Sequence, residues 1–410
     1  MPTQTTSLHH PPSRKTIGGY IFSGLCASLV SIGLARFGYA PLLPVLIQQH
    51  WFPAGDAAYL GAANLAGYLL GALAAHRLIG HVSNVTALRL MMVLATVSFL
   101  ACGFPVSEAW FFGWRLLSGV AGGIIMILVT STILPHVPGT RKGLASGGIF
   151  LGMGLGIAGS GTLIPFLLHM GLREAWFGLA ALSALFTAAS WFGWPPSTPL
   201  TLNSSGKSAK THGPHHGNGA FHLFYLETAL MAASLVPGTV FLVDFITREL
   251  GAGAGAGARF WMLYGVGAIF GPPLYGVLAD RMGIRIFTRL VLLLQGLAAG
   301  CLYHTGSYAV IALSTLTIGS FATGVVPVFL ARTHDLIPHD TGLQNVVWAR
   351  VTIVTAASMA AAGYACSGIL SLSGDNHRLL FLSAAITLLL ALVIGPLVKS
   401  LRLIPSLFPF

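Results

Sequence analysis

Four ionisable side chains, Arg36, Arg115, Glu227 and Asp244, stand inside long apolar runs of this sequence. A charge near the centre of a bilayer costs roughly 2.5–3.5 kcal/mol on insertion scales, so each needs a partner, water or a ligand, and none can face lipid. Arg36 sits in "GLARFGYAPLLP", residues 33–44. At 1.5 Å per residue it lies about 18 Å from the outer end of its helix, close to mid-membrane. Its planar, permanently charged guanidinium can grip a carboxylate or phosphate through two parallel hydrogen bonds. Tyr39 follows at i+3 on the same helical face. Pro41 and Pro44 are expected to interrupt hydrogen bonding above it, as helix backbone does where it lines a cavity. Arg36, Tyr39 and Asp244 are therefore candidate substrate-binding or gating residues, with a structural ion pair as the alternative for Arg36. Glu227 and Asp244 share one helical run but lie about 25 Å apart. Both are candidates for proton coupling, and for Glu227 a hydrogen bond to a neighbouring helix end is the alternative. Arg115, five residues from the start of its own run, reads equally well as a staple between helices.

The elements that must position these groups are membrane helices. With 55% hydrophobic and 8% charged residues over 410 positions, too few polar side chains exist to wet a globule of this size. Twelve apolar stretches long enough to cross a bilayer run near 17–47, 58–76, 85–104, 110–134, 143–168, 175–194, 221–247, 259–279, 284–304, 308–331, 345–370 and 379–398. They are too long and evenly apolar for outer-membrane strands. With both ends inside, only Arg173, Arg248, Arg259 and Arg378 fall on outer segments, so the positive-inside bias places both termini in the cytoplasm. The net charge of +11 is spread through short loops, which suits an anionic lipid surface and argues against nucleic acid. The first run lacks a small-residue cleavage site and reads as a retained span. Cys26, Cys102, Cys301 and Cys366 show no paired spacing, so neither a disulfide framework nor a metal site is expected.

A polar stretch at 195–219, rich in Pro, Gly, Ser and His, lies at the midpoint and reads as a flexible cytoplasmic linker. Its "GKS" lacks the glycine a phosphate loop needs five residues earlier, and His212, His215 and His216 have no fixed geometry for a metal. The expected organisation is a tail (1–16), a six-helix bundle (17–194), the linker (195–220), a second six-helix bundle (221–398) and a tail (399–410). A shift of 205 residues lays "YLGAANLAGYLLGALAAHR" (59–77) on "YGVGAIFGPPLYGVLADRM" (264–282), consistent with duplicated bundles about a pseudo-two-fold axis. The same shift sets Asp244 opposite Tyr39, one turn outward of Arg36, so Arg36 and Asp244 are expected to pair when the outer side is closed. Pro237 and Gly238 should kink the seventh span into a hinge. Gly148, Gly152 and Gly156 share one helix face and should let another helix approach closely.

Several stretches resemble the major facilitator superfamily. "GVLADRMGIR" (276–285) matches its G-x-x-x-D-R-x-G-x-R loop signature at Gly276, Asp280, Arg281, Gly283 and Arg285, between the eighth and ninth spans. The first-half copy has Ala75 and His76 in place of the acid and the arginine. "RLLSGVAGG" (115–123), with Arg115 and Gly119, resembles the fourth-helix arginine motif, and "PLLP" (41–44) the proline pair closing the first helix. "GLARFGYAPLLPVL" with "VPGTVFLVDFITRELG" (236–251) is similar to the YbfB/YjiJ-type bacterial branch. The resemblance covers essentially the whole chain. It implies an all-α, twelve-helix fold of two pseudo-symmetric bundles and secondary transport, in a multi-pass protein of the bacterial inner membrane. Asp280 is expected to reach the start of the fifth span, near Arg141 and Lys142, and latch the cytoplasmic face.

The expected function is alternating-access transport of a small solute, an organic anion on account of Arg36, coupled to protons, by a monomer without cofactors or metal. Export of a hydrophobic or amphipathic compound is the alternative within transport. A membrane enzyme would need His, Asp, Ser or Cys clustered at one depth, and a sensor would normally add a soluble domain; the sequence offers neither pattern.

Overall fold

The computed structural model describes residues 14–78, 82–138, 141–196, 219–304, 306–337 and 341–402. In chain order these form α1 (Arg14–Ser28), a π-helical stretch (Leu29–Leu34), α2 (Tyr39–Gln48), α3 (Ala54–Leu78), α4 (Asn84–Cys102), α5 (Glu108–Ile133), α6 (Lys142–Leu168), α7 (Leu172–Ser190) and α8 (Gly219–Ala233). A second π-helical stretch (Pro237–Phe241) leads through α9 (Leu242–Asp244) into a third (Phe245–Glu249), followed by α10 (Gly253–Met282), α11 (Ile284–His304), α12 (Tyr308–Leu336), α13 (Thr341–Leu372) and α14 (Arg378–Arg402). Eleven segments are long and apolar enough to cross a membrane, two of them composite: Lys15–Gln48 and Gly219–Glu249. The helix α7 is not among them, although its 19 residues reach about 28 Å and complete twelve passes. Most of the linker, with His212, His215 and His216, lies outside the described residues.

Prolines set the breaks in the two composite spans. A proline inside a helix lacks the N–H that would bond to the carbonyl four residues back, and its ring presses on that carbonyl. Regular helix accordingly stops at Ala233, four residues before Pro237, as the hinge expectation required. In the first span the break falls earlier than expected. It occupies residues 29–38 and includes Arg36, whereas Pro41 and Pro44 lie within α2. Here Ala35 N–H and Phe37 N–H reach five residues back, to Val30 and Ile32.

Small residues set the helix crossings, as expected in lipid, where close packing replaces hydrophobic drive. A Cβ added to Gly67, Gly71, Gly119 or Gly123 would strike the backbone carbonyl of Leu116, Val120, Asn64 or Tyr68, so α3 and α5 touch backbone to backbone. The same crossing joins α10 to α12 through Gly267, Gly271 and Gly319 against the carbonyls of Leu316, Ser320 and Tyr264. These pairs recur at a spacing of 200 residues, which corrects the 205-residue register for these helices: Asn64 corresponds to Tyr264 and Gly71 to Gly271. Similarity between apolar runs does not fix the register, because the contacts that do are made by the glycines. Ala75 and His76 accordingly lose their correspondence with Asp280 and Arg281. On α6, Gly148, Gly152 and Gly156 receive Ile21, the Leu25 carbonyl and Gly33 of the first span, the close approach their spacing suggests.

The first six passes meet the last six mainly from mid-helix to the face opposite the N-terminus, the distal face. There α6 meets α10 through Gly154 on Ile269, Gly161 on Met262 and Gly265 on Ala158. Helix α3 meets α13 through Ala62 and Leu65 on Gly363, and α2 packs against α9. Toward the N-terminal face the side of α10 that continues from Ile269 is open: Pro273 and Gly276 are exposed, and a Cβ on Gly276 would meet nothing within 4 Å. Replacing Gly67 or Gly119 by Val should overpack the α3/α5 crossing and cost about 1–3 kcal/mol, read as a clear drop in melting temperature. Gly147→Ala, with nothing within 4 Å of the new Cβ, should leave it unchanged or slightly raised.

Candidate functional site: an unpaired guanidinium and two buried charge clusters

The break in the first span separates neighbours that an unbroken helix would align. Arg36 reaches across to the second half, its Nη2 donating to the Met359 sulfur at 3.2 Å. Its guanidinium carbon lies 5.5 Å from the Phe37 ring and 5.7 Å from the Tyr68 ring. Its Nε is buried without a hydrogen-bond partner, and among the described residues no carboxylate pairs with it. Tyr264, within electrostatic reach of Arg36, buries a hydroxyl that likewise has no partner. Its ring stacks on Trp261 at 4.9 Å, and Trp261 is 6.3 Å from Phe37. The result is a cation in a largely aromatic setting, supplied by both halves.

Tyr39 is not brought to this group. The turn at 35–38 rotates it away, and it is buried, donating to the Ala57 carbonyl at 2.6 Å. Arg115 lies over the Tyr39 ring at 4.4 Å and donates to the Ala35 carbonyl at 2.7 Å. That carbonyl is released by the helix break, and an unmet carbonyl in lipid costs several kcal/mol. Arg115 is therefore the staple of its alternative reading. Gly119 serves the same crossing from α5.

Asp244 does not pair with Arg36 in this conformation. Its carboxylate is fully buried and takes two 2.6 Å bonds from Arg248 Nε and Nη2, one turn on in the same span, and a third contact of 2.6 Å with His377 Nε2. Gly374 and Asp375, both in the left-handed region at φ 67° and 66°, turn the chain after α13 and deliver His377 to this spot. His377 Nδ1 faces the Asp375 carbonyl at 2.8 Å and Glu249 Oε2 at 3.2 Å, while Glu249 also accepts from Arg378 Nε at 3.1 Å. Arg248 Nη1 reaches Asp375 at 3.1 Å. Burial pushes the imidazolium toward losing its proton, but hydrogen bonds to Asp244 and Glu249 and the Asp244 charge outweigh it, raising the His377 pKa to about 9.

Glu227 forms a second buried pair, accepting from Arg332 Nη2 of α12 at 2.5 Å. The helix-end bond considered for it is thus an ion pair, and Arg332, which by sequence alone belongs to a loop, is only 8% exposed. In the loop signature, Asp280 is exposed and among the described residues makes no ion pair. Arg285 instead holds Asp335 through two bonds of 3.0 and 3.1 Å within the same half. Among the described residues Asp280 makes no ion pair with α6, and the contacts between the halves described above lie from mid-helix to the distal face. The side chain of Lys142 lies outside the described residues, and Gly276, Arg281 and Gly283 make no contact that points to a ligand.

This arrangement of helices is a transporter fold. A bacterial homolog of the human lysosomal transporter Spinster, solved in an inward-facing, unoccupied conformation, matches with a TM-score of 0.76 at 13% identity, covering 95% of this chain and 98% of that one. The same homolog in an inward-facing, occupied conformation gives 0.72 at 14% identity with the same coverage. Among curated protein sequences none matches this chain. The family model described as "Uncharacterised MFS-type transporter YbfB" matches residues 28–395, and the chain belongs to that branch of the major facilitator superfamily.

Two measurements test the charge clusters. Arg332→Met leaves Glu227 buried and unpaired, so a loss of about 3–5 kcal/mol is expected, with most of it recovered in the Glu227→Gln, Arg332→Met double variant when unfolding is followed in detergent. His377 has a folded pKa above its ordinary 6.5, so its stabilisation is fully present below pH 6.5 and is lost as pH rises through about 9. The melting temperature should fall between pH 7 and 10 in the parent and stay flatter in His377→Gln.

Proposed function

We propose that this chain is a secondary active transporter that carries a small organic anion with an apolar or aromatic body by alternating access, coupled to protons. One observation carries the reading: Arg36, expected near mid-membrane and lying between the halves, is engaged among the described residues only by a thioether and ring faces. A guanidinium left without a carboxylate in such a place is suited to bind one from a ligand. Phe37, Tyr68, Trp261 and Tyr264 suit an apolar body beside that carboxylate. They also favour the second reading, export of amphipathic compounds in which the anionic group is incidental.

For proton coupling we assign Glu227 the loading role. Separated from Arg332 as the halves rearrange, its carboxylate would sit in apolar surroundings and take a proton. Asp244 keeps Arg248 on its own span and serves as a fixed counter-ion. We place the protein in the bacterial inner membrane as a monomer with both termini cytoplasmic. Arg248 and Arg378, two of the four cations on outer segments, are consumed in the Asp244 and Glu249 contacts, which leaves the remaining bias still more one-sided.

Vesicles holding the full chain and an imposed pH gradient, screened against aromatic and aliphatic carboxylates, test this reading. The parent should show anion-dependent proton flux, and Arg36→Ala should lower it at least about tenfold, a loss of roughly 1.4 kcal/mol. Equal flux in the variant would remove Arg36 from the substrate site. Flux with apolar amines but not carboxylates would favour the exporter.

A further inference from the structure

The charges around His377 do not balance without it. Asp244, Glu249 and Asp375 face Arg248 and Arg378, three carboxylates against two guanidiniums. Both ring nitrogens of His377 look only at acceptors, Asp244 Oδ2 and Glu249 Oε2 on the seventh span and the Asp375 carbonyl in its own turn. A neutral imidazole would turn a lone pair toward one of them. A proton on the ring satisfies both contacts and brings the cluster to neutrality.

The cluster also sits where the distal side closes. Asp244 belongs to α9, the three-residue segment that packs on α2 of the first span, and Tyr39 of α2 lies within its electrostatic reach. Helix α9 is flanked by π-helical Pro237–Phe241 and Phe245–Glu249, so it is the short rigid piece of a span that departs from α-geometry on either side. Arg378 also donates to the Tyr303 carbonyl at 2.8 Å, tying the start of α14 to the end of α11.

We propose that His377 is a protonation site that locks the distal gate: the imidazolium ties α9 to the turn after α13, and opening the gate releases its proton to distal water. The mechanism rests on the alternating access proposed above. If α9 moves off α2, Arg248 travels with Asp244, being four residues away on the same span, and Glu249 leaves as well. Asp244 therefore keeps a neutralising partner, while His377 loses both acids of the seventh span and retains Arg378 and Asp375, whose charges offset one another. The proton on Nε2 passes to water, leaving a neutral imidazole and a hydronium ion. On closure the two acids return and a proton is taken back from the same side. The raised proton affinity of the closed state, with a pKa of about 9, agrees with this direction. If the open state restores the ordinary value of about 6.5, the closed-to-open ratio falls on the order of 50-fold between pH 7 and 10.

The test uses the full chain in lipid nanodiscs, with spin labels at Gln49→Cys and Ala254→Cys, both exposed near the distal face, in a Cys301→Ser background. The expected result is a distal-open distance population that rises with pH from about 7 and levels off above about 9. His377→Gln should abolish that step. Asp375→Asn, which removes one carboxylate and leaves the histidine in place, should shift the midpoint to lower pH and covers the case in which His377→Gln does not fold. A parent distribution unchanged from pH 7 to 10, or a step that survives unaltered in both variants, would overturn the proposal. Arg36→Ala should retain the step, so loss of flux without loss of the step separates failure at the substrate site from failure at the gate.

Discussion

The bond from Arg115 to the Ala35 carbonyl is the contact on which the centre of this protein depends. Inside a bilayer a helix can leave α-geometry only where something other than water meets the backbone groups it frees. Arg115, held on α5 by the glycine crossing with α3, meets one of them. The first span can then carry a turn at residues 35–38, and that turn points Arg36 toward the second half while Tyr39 packs back into the first. A Cβ on Gly38 would lie 2.5 Å from the Leu34 carbonyl, so the turn is also written into the choice of glycine. An unbroken helix would have aligned Arg36 and Tyr39 and consumed both in one contact.

How far the sequence speaks depends on whether a contact is local. The twelve passes, the helix break before Pro237 and the close approach along Gly148, Gly152 and Gly156 were legible, because chain length, proline chemistry and four-residue spacing are local properties. Arg36 as a charge in need of a partner was legible for the same reason, since an arginine in apolar sequence is conspicuous. Its partner was not. Asp244 looks available only in a repeat register that is five residues off in the neighbouring helices, and Arg248, four residues on, falls by sequence on an outer segment. Arg332 was missed because it stands near a helix end where positive charge is ordinary; only the fold reveals Glu227 opposite it. His377 left one signal, the run "DNHR" after Gly374, in which an acid, an imidazole and a guanidinium follow a glycine able to turn sharply.

The halves divide the electrostatic labour unequally. Most of the buried acid–base pairing is in the second: Glu227 with Arg332, and Asp244 with Arg248 and His377. The first contributes two arginines, a buried Arg115 spent on a backbone carbonyl and a half-buried Arg36 left to sulfur and aromatic rings. Duplicated bundles with matching glycine crossings thus carry different chemistry, because the crossings constrain only small residues and leave the cavity-facing positions free to diverge.

The Met359 sulfur gives the resting state a particular character. A thioether is a poor acceptor, and ring faces hold a guanidinium without fixing its direction. If Arg36 receives a carboxylate as proposed, no ion pair has to be broken first. Under that proposal such contacts would favour quick exchange over tight retention, which suits a carrier that must let go of its cargo on every cycle.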